Sequence, residues 1–569
     1  MNIRSSVSAR PGLAVLAAGV ALLLGSGAFA ADPPSASAKS SAPLEARWFF
    51  CFGYGRNRRD VDRIKSLIDT AAAHGLNGMA LSTFGFDSIT SWKQDDFALL
   101  KEVADHCAKR HIELIPTGFS VGYGDGALKH NRSWAAALPA TLRLRAENGR
   151  IVPNPGANLL RNGDFEEHSG NRFKGFGFID APGKISFADT HAAKGKTSVR
   201  LENFTANPHG HGRVMQTVAV RPAQAYQFSV RVKTRDLEPA GEFKAMIMGG
   251  DQYLASVYPN LKPTSDWTEV TLDFVNTTYS EVRIYTGIWG GKSGAFWLDD
   301  LRFAESAELS DIPRRAGTPL ALRSLDRDAV FAEGQDFDPI PCRRVPKGIA
   351  IPKGSSIRDG ENLELSCYKI PGVSHSWGKQ ISLCMSNPDL YQYWEAQARR
   401  LHEVLPYKRF LLSMDEIRNG GGCLSCRERG VSMAEILGDC FTRQRAIFKR
   451  IDPEIEVMTW SDMLDPAHNA RNHYYGVVGD FTGSWKHVPR DITIVCWYHK
   501  IRETSLSFFS AHGFRTVGAC YYDASDLATS RQWLDSLGRT PGAEGIMFTS
   551  WRKKYDLLGE FGDMASRKK

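Results

Sequence analysis

The sequence predicts an α/β fold, a (β/α)8 TIM barrel that an all-β jelly-roll sandwich interrupts after the third strand. Strand-like and helical segments alternate in residues 44–150 and again in residues 388–569. These two parts supply three and then five strand patterns, the number that closes such a barrel. Residues 157–305 contain only short apolar runs separated by Gly, Pro and Asn, which is typical of a β-sandwich.

Residues 1–30 have the pattern of a secretory signal peptide. Arg4 and Arg10 precede an apolar run at residues 13–24, and small residues follow at the cleavage position. Residues 31–43 then form a polar linker rich in Pro, Ser and Ala. We therefore expect an exported protein, periplasmic or secreted, with no membrane segment after removal of the signal.

In the first barrel part, residues 44–150, strand patterns alternate with helical periodicity. The strand and helix patterns fall, in chain order, at residues 48–52, 61–74, 78–82, 97–110 and 112–117. Such close alternation favours parallel strands joined by helices.

The sandwich, residues 157–305, is predicted from short strand patterns and from its two ends. The strand patterns cover residues 197–202, 216–220, 226–233, 267–274, 281–286 and 295–303. Its ends, Asn158–Glu166 and Phe296–Leu301, resemble those of the jelly-roll carbohydrate-binding modules grouped with the cellulase C N-terminal domain. The resemblance implies binding of an oligosaccharide or polysaccharide. A sandwich that serves only as a spacer is the alternative.

The same resemblance implies a structural calcium in the sandwich. Asp164, Glu166 and Asp300 are its candidate ligands by position. Trp289 and Tyr253 either stack on sugar rings or belong to the core.

The second barrel part, residues 388–569, resumes the alternation. Helix patterns cover residues 388–405, 432–450, 503–511 and 527–537, and strand patterns cover residues 410–414, 456–460, 492–497, 516–520 and 545–551. Ser432 and Glu435 have the spacing of a capping box, which predicts a helix start. Residues 306–387 lack helical patterns, and we interpret them as a connecting β-rich segment.

The net charge and the spacing of the cysteines bear on two questions, nucleic-acid binding and the use of the thiols. A formal net charge of +8 over 569 residues, with no dense Lys/Arg block, argues against a nucleic-acid partner. Among ten cysteines, only Cys423 and Cys426 have a suggestive spacing. A zinc site needs a second ligand pair, and none follows at the usual distance. We therefore expect a disulfide that shapes the loop after Glu416.

The fourth barrel strand ends in two adjacent carboxylates, Asp415 and Glu416. Catalytic side chains of a β/α barrel gather at this end of the strands. Two carboxylates there suit acid–base work on a glycosidic bond, because one can stay protonated while the other is ionised. The alternative is structural: the pair caps the next helix or binds Arg418.

The other strand ends carry further acids and aromatic residues. Trp460 and Asp462 lie at the end of the fifth strand, and Trp497 ends the sixth. Tyr521 and Asp523 follow the seventh strand, and Trp551 ends the eighth. Aromatic rings stack on the CH faces of sugars, and carboxylates accept bonds from their hydroxyls. The pattern therefore predicts a carbohydrate site at this rim.

This constellation resembles the family-20 glycoside hydrolases, the β-N-acetylhexosaminidases. The resemblance implies that Glu416 protonates the leaving oxygen while Asp415 orients the substrate's 2-acetamido group, whose carbonyl attacks the anomeric carbon. It further implies that Tyr521 binds that carbonyl, Asp523 a ring hydroxyl, and the three Trp residues the sugar faces. Arg56 is a possible counterpart of the family's substrate-binding arginine. No cofactor is implied for catalysis.

The sequence also departs from that family. Leu412, Ser413 and Met414 stand where the family has its His-x-Gly-Gly signature, and Arg552 follows Trp551 where the family has a nearby Glu. We expect Arg418 and the 419–426 loop to shape a different subsite.

Two further interpretations stay open. A conventional two-carboxylate glycosidase would use Glu416 as the acid, with Asp462 or Asp523 as nucleophile or base. A sugar-binding protein would keep the barrel without catalysis.

Overall fold

The computed structural model describes residues 44–82, 84–375 and 378–566. The predicted signal peptide and linker lie outside the described residues. Within the described ranges, every helix is too short or too polar to cross a membrane.

The first barrel part contains three strands and three helices. They are β1 (Ala46–Cys51), α1 (Arg58–Ala73), β2 (Gly78–Leu81), α2 (Gln94–Lys109), β3 (Glu113–Gly118) and α3 (Asp125–His130). Helices α1 and α2 begin and end within a few residues of the predicted patterns because their apolar positions repeat at helical spacing, whereas no pattern predicted α3. In α1, Val61, Ile64 and Ile68 are buried on one face.

After α3 the chain becomes wholly β up to residue 305, apart from single 3₁₀ turns. The strands are β4 (Leu138–Glu147), β5 (Arg150–Pro153), β6 (His168–Ser169), β7 (Arg172–Phe173), β8 (Phe178–Ile179), β9 (Ser186–Asp189), β10 (Ser198–Glu202), β11 (Gly212–Ala219), β12 (Gln224–Glu238), β13 (Phe243–Gly249), β14 (Gln252–Val257), β15 (Ser265–Asn276), β16 (Glu281–Ile288) and β17 (Ser293–Glu305). All six strand patterns predicted for the sandwich are confirmed, to within one residue, in β10, β11, β12, β15, β16 and β17.

Two five-stranded antiparallel sheets form the sandwich. Their strand orders are β15-β12-β17-β10-β9 and β14-β13-β16-β11-β8. Phe228, Val230 and Val232 of β12 are buried, while the residues between them are partly exposed, as alternation along a strand requires. The core of the sandwich lies between the two sheets.

The connecting segment adds six strands. They are β18 (Ala321–Ser324), β19 (Val330–Phe331), β20 (Ile349–Ala350), β21 (Asn362–Lys369), β22 (Val373–His375) and β23 (Gly378–Gln380). A six-stranded sheet has the order β19-β18-β21-β4-β5-β20. Strands β4 and β5 therefore pair with the connecting segment, although most of their residues fall in the range 44–150 that we assigned to the barrel.

The second barrel part follows. Its elements are α4 (Pro388–Val404), β24 (Arg409–Leu412), β25 (Asn419–Gly420), α5 (Leu424–Arg427), α6 (Met433–Ile451), β26 (Glu456–Trp460), β27 (Gly476–Val477), β28 (Thr493–Cys496), α7 (Arg502–Ala511), β29 (Thr516–Tyr521), α8 (Ala528–Leu537), β30 (Ala543–Thr549) and α9 (Leu558–Ser566). The predicted capping box is confirmed: Ser432 Oγ accepts from the Glu435 N–H at 3.2 Å, and Glu435 Oε2 from the Ser432 N–H at 2.9 Å.

Eight parallel strands close the barrel in the order β1-β2-β3-β24-β26-β28-β29-β30. The closing pair is β1 with β30, in which Trp48 lies beside Met547. Inward-facing side chains fill the barrel interior; they include Trp48, Phe50, Leu411, Met458, Trp460, Val517 and Met547. The predicted barrel and the predicted β-sandwich are both present.

Candidate functional site

The carboxylates at the ends of β24 and β26 meet. The backbone N–H of Glu416 donates to Oδ2 of Asp462 at 2.9 Å. Asp415 precedes Glu416 and lies within electrostatic range of both. Three acids predicted at two strand ends therefore form one carboxylate cluster: Asp415, Glu416 and Asp462.

Two donors hold the side chain of Glu416, and both reach the same oxygen. Tyr123, from the loop between β3 and α3, donates its hydroxyl hydrogen to Oε2. Arg418 pairs with Oε2 at 2.9 Å. The Glu416 side chain keeps 25% of its surface exposed. Glu416 is therefore oriented by its neighbours and still open to a ligand.

Arg418 and its partner Gln380 fix the loop that carries the cluster. Arg418 is buried, lies 4.9 Å from the ring centre of Tyr475 and donates to Gln380 Oε1. Gln380 Nε2 in turn donates to the carbonyl oxygens of Glu416 at 3.0 Å and Gly122 at 3.1 Å. The connecting segment, through Gln380 of β23, thus contributes to the site.

Asp462 is fully buried, with 0% of its surface exposed. Besides the Glu416 N–H, its carboxylate accepts from Asn469 Nδ2 at 2.8 Å and from Trp497 Nε1 at 3.4 Å. Burial, with the charge of Glu416, raises the pKa of Asp462 to about 6, against the lowering effect of these hydrogen bonds. Asp462 is therefore a positioning group for the chain around Glu416.

Asp415 has a perturbed pKa as well. Burial, and then the charges of Asp462 and Glu416, raise the pKa of the Asp415 carboxyl well above its usual range. Asp415 and Asp462 therefore do not both ionise easily, and the titration of each depends on the other. This pair retains a proton at a pH where an isolated Asp would have lost it.

Aromatic rings form a wall beside the carboxylates. Trp497 and Tyr522 stack at 5.7 Å, Tyr522 contacts Trp551 at 6.1 Å, and Trp551 contacts Trp460 at 6.1 Å. Trp497, Tyr522 and Trp551 are half-buried, whereas Trp460 belongs to the barrel interior. The structure brings all three predicted tryptophans together, and half-exposed rings suit the CH faces of a sugar.

Tyr521 does not lie at this wall, contrary to our prediction. Its ring packs on Phe548 at 4.2 Å in the layer outside the barrel strands, and it is buried. Tyr522 faces the cluster instead: burial and the charges of Asp415, Asp462 and Glu416 raise its pKa. The left-handed backbone of Tyr521, with φ 79°, breaks the alternation of β29, whereas our prediction for Tyr521 came from the family resemblance.

Two other predicted ligand-binding residues are engaged elsewhere. The Asp523 carboxylate accepts from Ser550 Oγ at 2.6 Å and from the Trp551 N–H at 2.9 Å, so it positions the eighth strand end. Arg56 pairs with Asp96 at 3.0 Å and lies 4.1 Å from the ring centre of Trp92. The guanidinium beside the carboxylates is that of Arg418, which we had assigned to a neighbouring subsite.

The three candidate calcium ligands of the sandwich do not gather. Glu166 Oε1 accepts the N–H groups of Lys196 and Thr197 at 2.6 and 2.8 Å, and Asp300 lies 3.5 Å from Lys194 Nζ. In the described part of the chain, Asp164, Glu166 and Asp300 are not among the side chains that converge as metal ligands.

The expected disulfide after Glu416 is absent, and that prediction was wrong. The sulfur atoms of Cys423 and Cys426 lie 3.5 Å apart, and both thiols are free. Cys384 lies 3.6 and 3.8 Å from them. Sequence analysis considered only paired ligands close in sequence and so missed Cys384.

The sandwich meets the barrel site at one point and carries a separate aromatic patch. Tyr253 of β14 contacts Tyr475 at 5.4 Å, so the sandwich reaches the ring on which Arg418 lies. The half-buried Trp289 has Lys244 Nζ at 4.6 Å and the guanidinium of Arg213 at 5.5 Å from its ring centre. Neither Tyr253 nor Trp289 belongs to the fully buried core.

Comparison with known proteins gives a family match in the sandwich. Residues 157–293 match a family described as a carbohydrate binding domain. A carbohydrate-binding module solved with β-1,4-galactotriose is 14% identical, with 26% of this chain and 97% of that chain covered and a TM-score of 0.21. No curated protein sequence matches. The family match at residues 157–293 confirms the predicted resemblance of the sandwich to carbohydrate-binding modules.

Two solved enzymes are also similar to part of the chain. A β-N-acetylhexosaminidase is 13% identical, with 34% of this chain and 45% of that chain covered and a TM-score of 0.26. A chitobiase of Flavobacterium johnsoniae is 14% identical, with 33% and 30% covered and a TM-score of 0.23. The chain spans less than half the length of either enzyme.

Proposed function

We propose that the protein is a glycoside hydrolase that acts on β-linked glycans at the rim of the barrel. The observation that carries this proposal is the carboxylate cluster beside the aromatic wall, with Glu416 as its partly exposed member. The signal pattern of residues 1–30 would place the enzyme outside the cytoplasm.

Glu416 acts as the general acid in this proposal. Tyr123 and Arg418 both bind its Oε2, which leaves Oε1 as the oxygen to meet the glycosidic bond. Asp415 and Asp462, whose pKa values are raised, hold a proton beside Glu416 that can pass to its carboxylate.

Burial favours assistance by the substrate's own acetamido group. Asp462 has no exposed surface, and the Asp523 carboxylate is occupied by Ser550 and Trp551, so neither reaches an anomeric carbon. The acetamido carbonyl then supplies the nucleophile, Asp415 orients that group, and Tyr522 binds it in the role we predicted for Tyr521.

The proposal is tested by hydrolysis assays with two substrates, aryl β-N-acetylglucosaminide and aryl β-N-acetylgalactosaminide. The assays compare the wild type with Glu416→Gln and Asp415→Asn. We expect activity in the wild type, loss in both variants, and none on the matching plain glucoside. Glu454→Gln is the control, since Glu454 is an exposed acid away from the cluster. Glu416-dependent activity on plain glycosides would establish the two-carboxylate scheme instead, and no turnover on any glycoside would refute the proposal.

A second function is supported by the sandwich, which we propose binds glycans through the surface around Trp289. Lys244 and Arg213 flank this ring, and the sheet that carries them lies within the family match. A half-exposed tryptophan with two cations nearby suits contact with a sugar ring and polar contacts to its hydroxyls.

Trp289→Ala in the full chain tests this second function by retention in glycan-containing gels. We expect weaker retention with unchanged hydrolysis, while Trp267→Ala, a partly exposed tryptophan on the other sheet, behaves as wild type. Equal retention of wild type and Trp289→Ala would rule out this surface.

A further inference from the structure

We propose that Cys384, Cys423 and Cys426 bind a Zn²⁺ ion that holds together the two segments flanking Glu416. The three thiols are the only group of three potential metal ligands that converges in the described part of the chain. All three are buried, with 1 to 5% of their surface exposed. Neither the barrel chemistry nor the glycan-binding surface uses them.

The distances between the sulfurs fit a tetrahedral metal. The three separations are 3.5, 3.6 and 3.8 Å. A tetrahedral Zn²⁺ with Zn–S bonds near 2.3 Å places its sulfurs about 3.8 Å apart. A disulfide needs about 2.05 Å. The thiols therefore already stand at the spacing of ligands around one ion.

The backbone presents the cysteines from two segments. Cys423 is the N-cap of the short helix α5 and Cys426 lies within it, where the N–H of Cys426 donates to the carbonyl of Cys423 at 3.1 Å. Cys384 comes from the connecting segment, and its N–H donates to the carbonyl of Trp134 at 2.9 Å. The ligand pair and the third ligand are thus each held in place by main-chain bonds.

Two neighbouring groups complete the environment. The guanidinium of Arg315 lies against Cys423, so its charge would balance the excess negative charge of three thiolates on Zn²⁺. The hydroxyl of Ser386 lies beside Cys426. Among described residues its buried oxygen has no hydrogen-bond partner of acceptable geometry. A fourth ligand, such as a water, would give this hydroxyl a partner.

Thiolate ligands and tetrahedral spacing select the metal. Soft sulfur donors favour Zn²⁺ over Mg²⁺ or Ca²⁺, which prefer oxygen. Binding releases the thiol protons, with no change in oxidation state. Since Gln380 and Arg418 lie four or five residues from the nearest ligand, the ion would join the segments that position Glu416.

The test measures metal and thiols in the mature chain, purified with a reductant, treated with a chelator and reloaded with Zn²⁺ alone. We expect about one Zn²⁺ per chain after gel filtration and all ten thiols after denaturation with chelator. Loading with Co²⁺ should give sulfur-to-cobalt charge-transfer absorption. These readouts do not depend on glycosidase activity, so their failure is distinct from failure of the proposed function.

Variants locate the ion. Cys384→Ser should lose the zinc and the cobalt absorption, whereas Cys342→Ser, a partly exposed cysteine outside the cluster, should keep both. If Cys384→Ser fails to fold, the metal and thiol measurements on the wild type still test whether the protein binds zinc. A wild type without zinc, a count two thiols short of ten, or a Cys384→Ser variant with full zinc would each overturn the proposal.

Discussion

The main-chain N–H of Glu416 donates to the buried carboxylate of Asp462 at 2.9 Å, which joins the ends of β24 and β26. Glu416 has a left-handed backbone, with φ 46°, that a side chain other than Gly adopts at a cost. The bond to Asp462 stabilises this conformation. The position of the proposed acid therefore depends on an acid of the next strand.

Asp462→Asn should weaken both fold and activity. The amide nitrogen would replace either Oδ1, which accepts from Trp497, or Oδ2, which accepts from Asn469 and the Glu416 N–H. It would then face a donor in either orientation, so we expect a loss of about 1–3 kcal/mol in the free energy of unfolding, with a lower kcat. Urea unfolding and steady-state kinetics measure the two effects. As a control, Asp491→Asn removes an exposed ion pair with Arg445 and should cost under about 1 kcal/mol. Wild-type stability and activity in Asp462→Asn would contradict the assigned role.

Asp462→Asn should also shift the pH profile of hydrolysis. The charge of Asp462 raises the pKa of Asp415, after burial itself. Removing that charge lowers the pKa of Asp415, so the cluster loses its proton at a lower pH. We expect the alkaline limb of the kcat/KM profile of Asp462→Asn to shift to lower pH. An unchanged or upward-shifted limb would show that Asp462 does not act on the catalytic proton.

The raised pKa of Asp87 can be tested through the pH dependence of stability. Its Oδ1 accepts from the Phe119 N–H at 2.5 Å, and burial raises the pKa of Asp87 from 3.8 to about 6. The folded state holds the proton more tightly than the unfolded state. The stability of wild type relative to Asp87→Asn should therefore fall as pH rises from 3.8 through about 6, and then level off.

Unfolding free energies of wild type and Asp87→Asn at several pH values measure this difference. Asn keeps an oxygen acceptor for Phe119 and does not titrate, so contributions from other groups cancel. A difference that is constant or that grows with pH would show that Asp87 ionises normally in the folded state.

Gly122→Ala should disrupt the site through the backbone. A Cβ atom at Gly122 would lie 2.1 Å from the carbonyl oxygen of Asp415, and backbone must then move. We expect loss of hydrolysis and a lower melting temperature. Gly241→Ala is the matched control, because no atom lies within 4 Å of a Cβ there. Equal activity of the two variants would mean that the position of Asp415 is not critical.

Tyr522→Phe and Tyr521→Phe distinguish the predicted tyrosine from the observed one. The phenol of Tyr522 faces the three carboxylates, whereas Tyr521 packs on Phe548. We expect kcat/KM to fall about ten- to hundredfold in Tyr522→Phe, the value of one hydrogen bond to a charged group. Tyr521→Phe should leave kcat/KM unchanged. The reverse result would restore the assignment made from sequence.

The elements of the fold could be predicted because they depend on local spacing. The apolar positions of α1 and β12 repeat with the periods of a helix and a strand, so these elements are recognisable without their partners. Asp415, Glu416 and Asp462 could be found for the same reason. Each follows a strand, and the ends of parallel strands meet at one rim of a barrel.

The partners of these acids depend on tertiary structure alone. Tyr123 and Gln380 lie far from Glu416 in sequence, in a loop and in the connecting segment, where no periodicity marks them. Cys384 likewise joins Cys423 and Cys426 from a distant segment.

By itself, the sequence determined an eight-stranded barrel, a sandwich between its third and fourth strands, and acids with aromatic residues at the strand ends. Tertiary structure decided which of these residues face each other. Tyr521 shows the physical reason: its ring packs on Phe548, and positive φ values at Tyr521, Tyr522 and Asp523 break the alternation of the strand, so that the next ring lies toward the carboxylates.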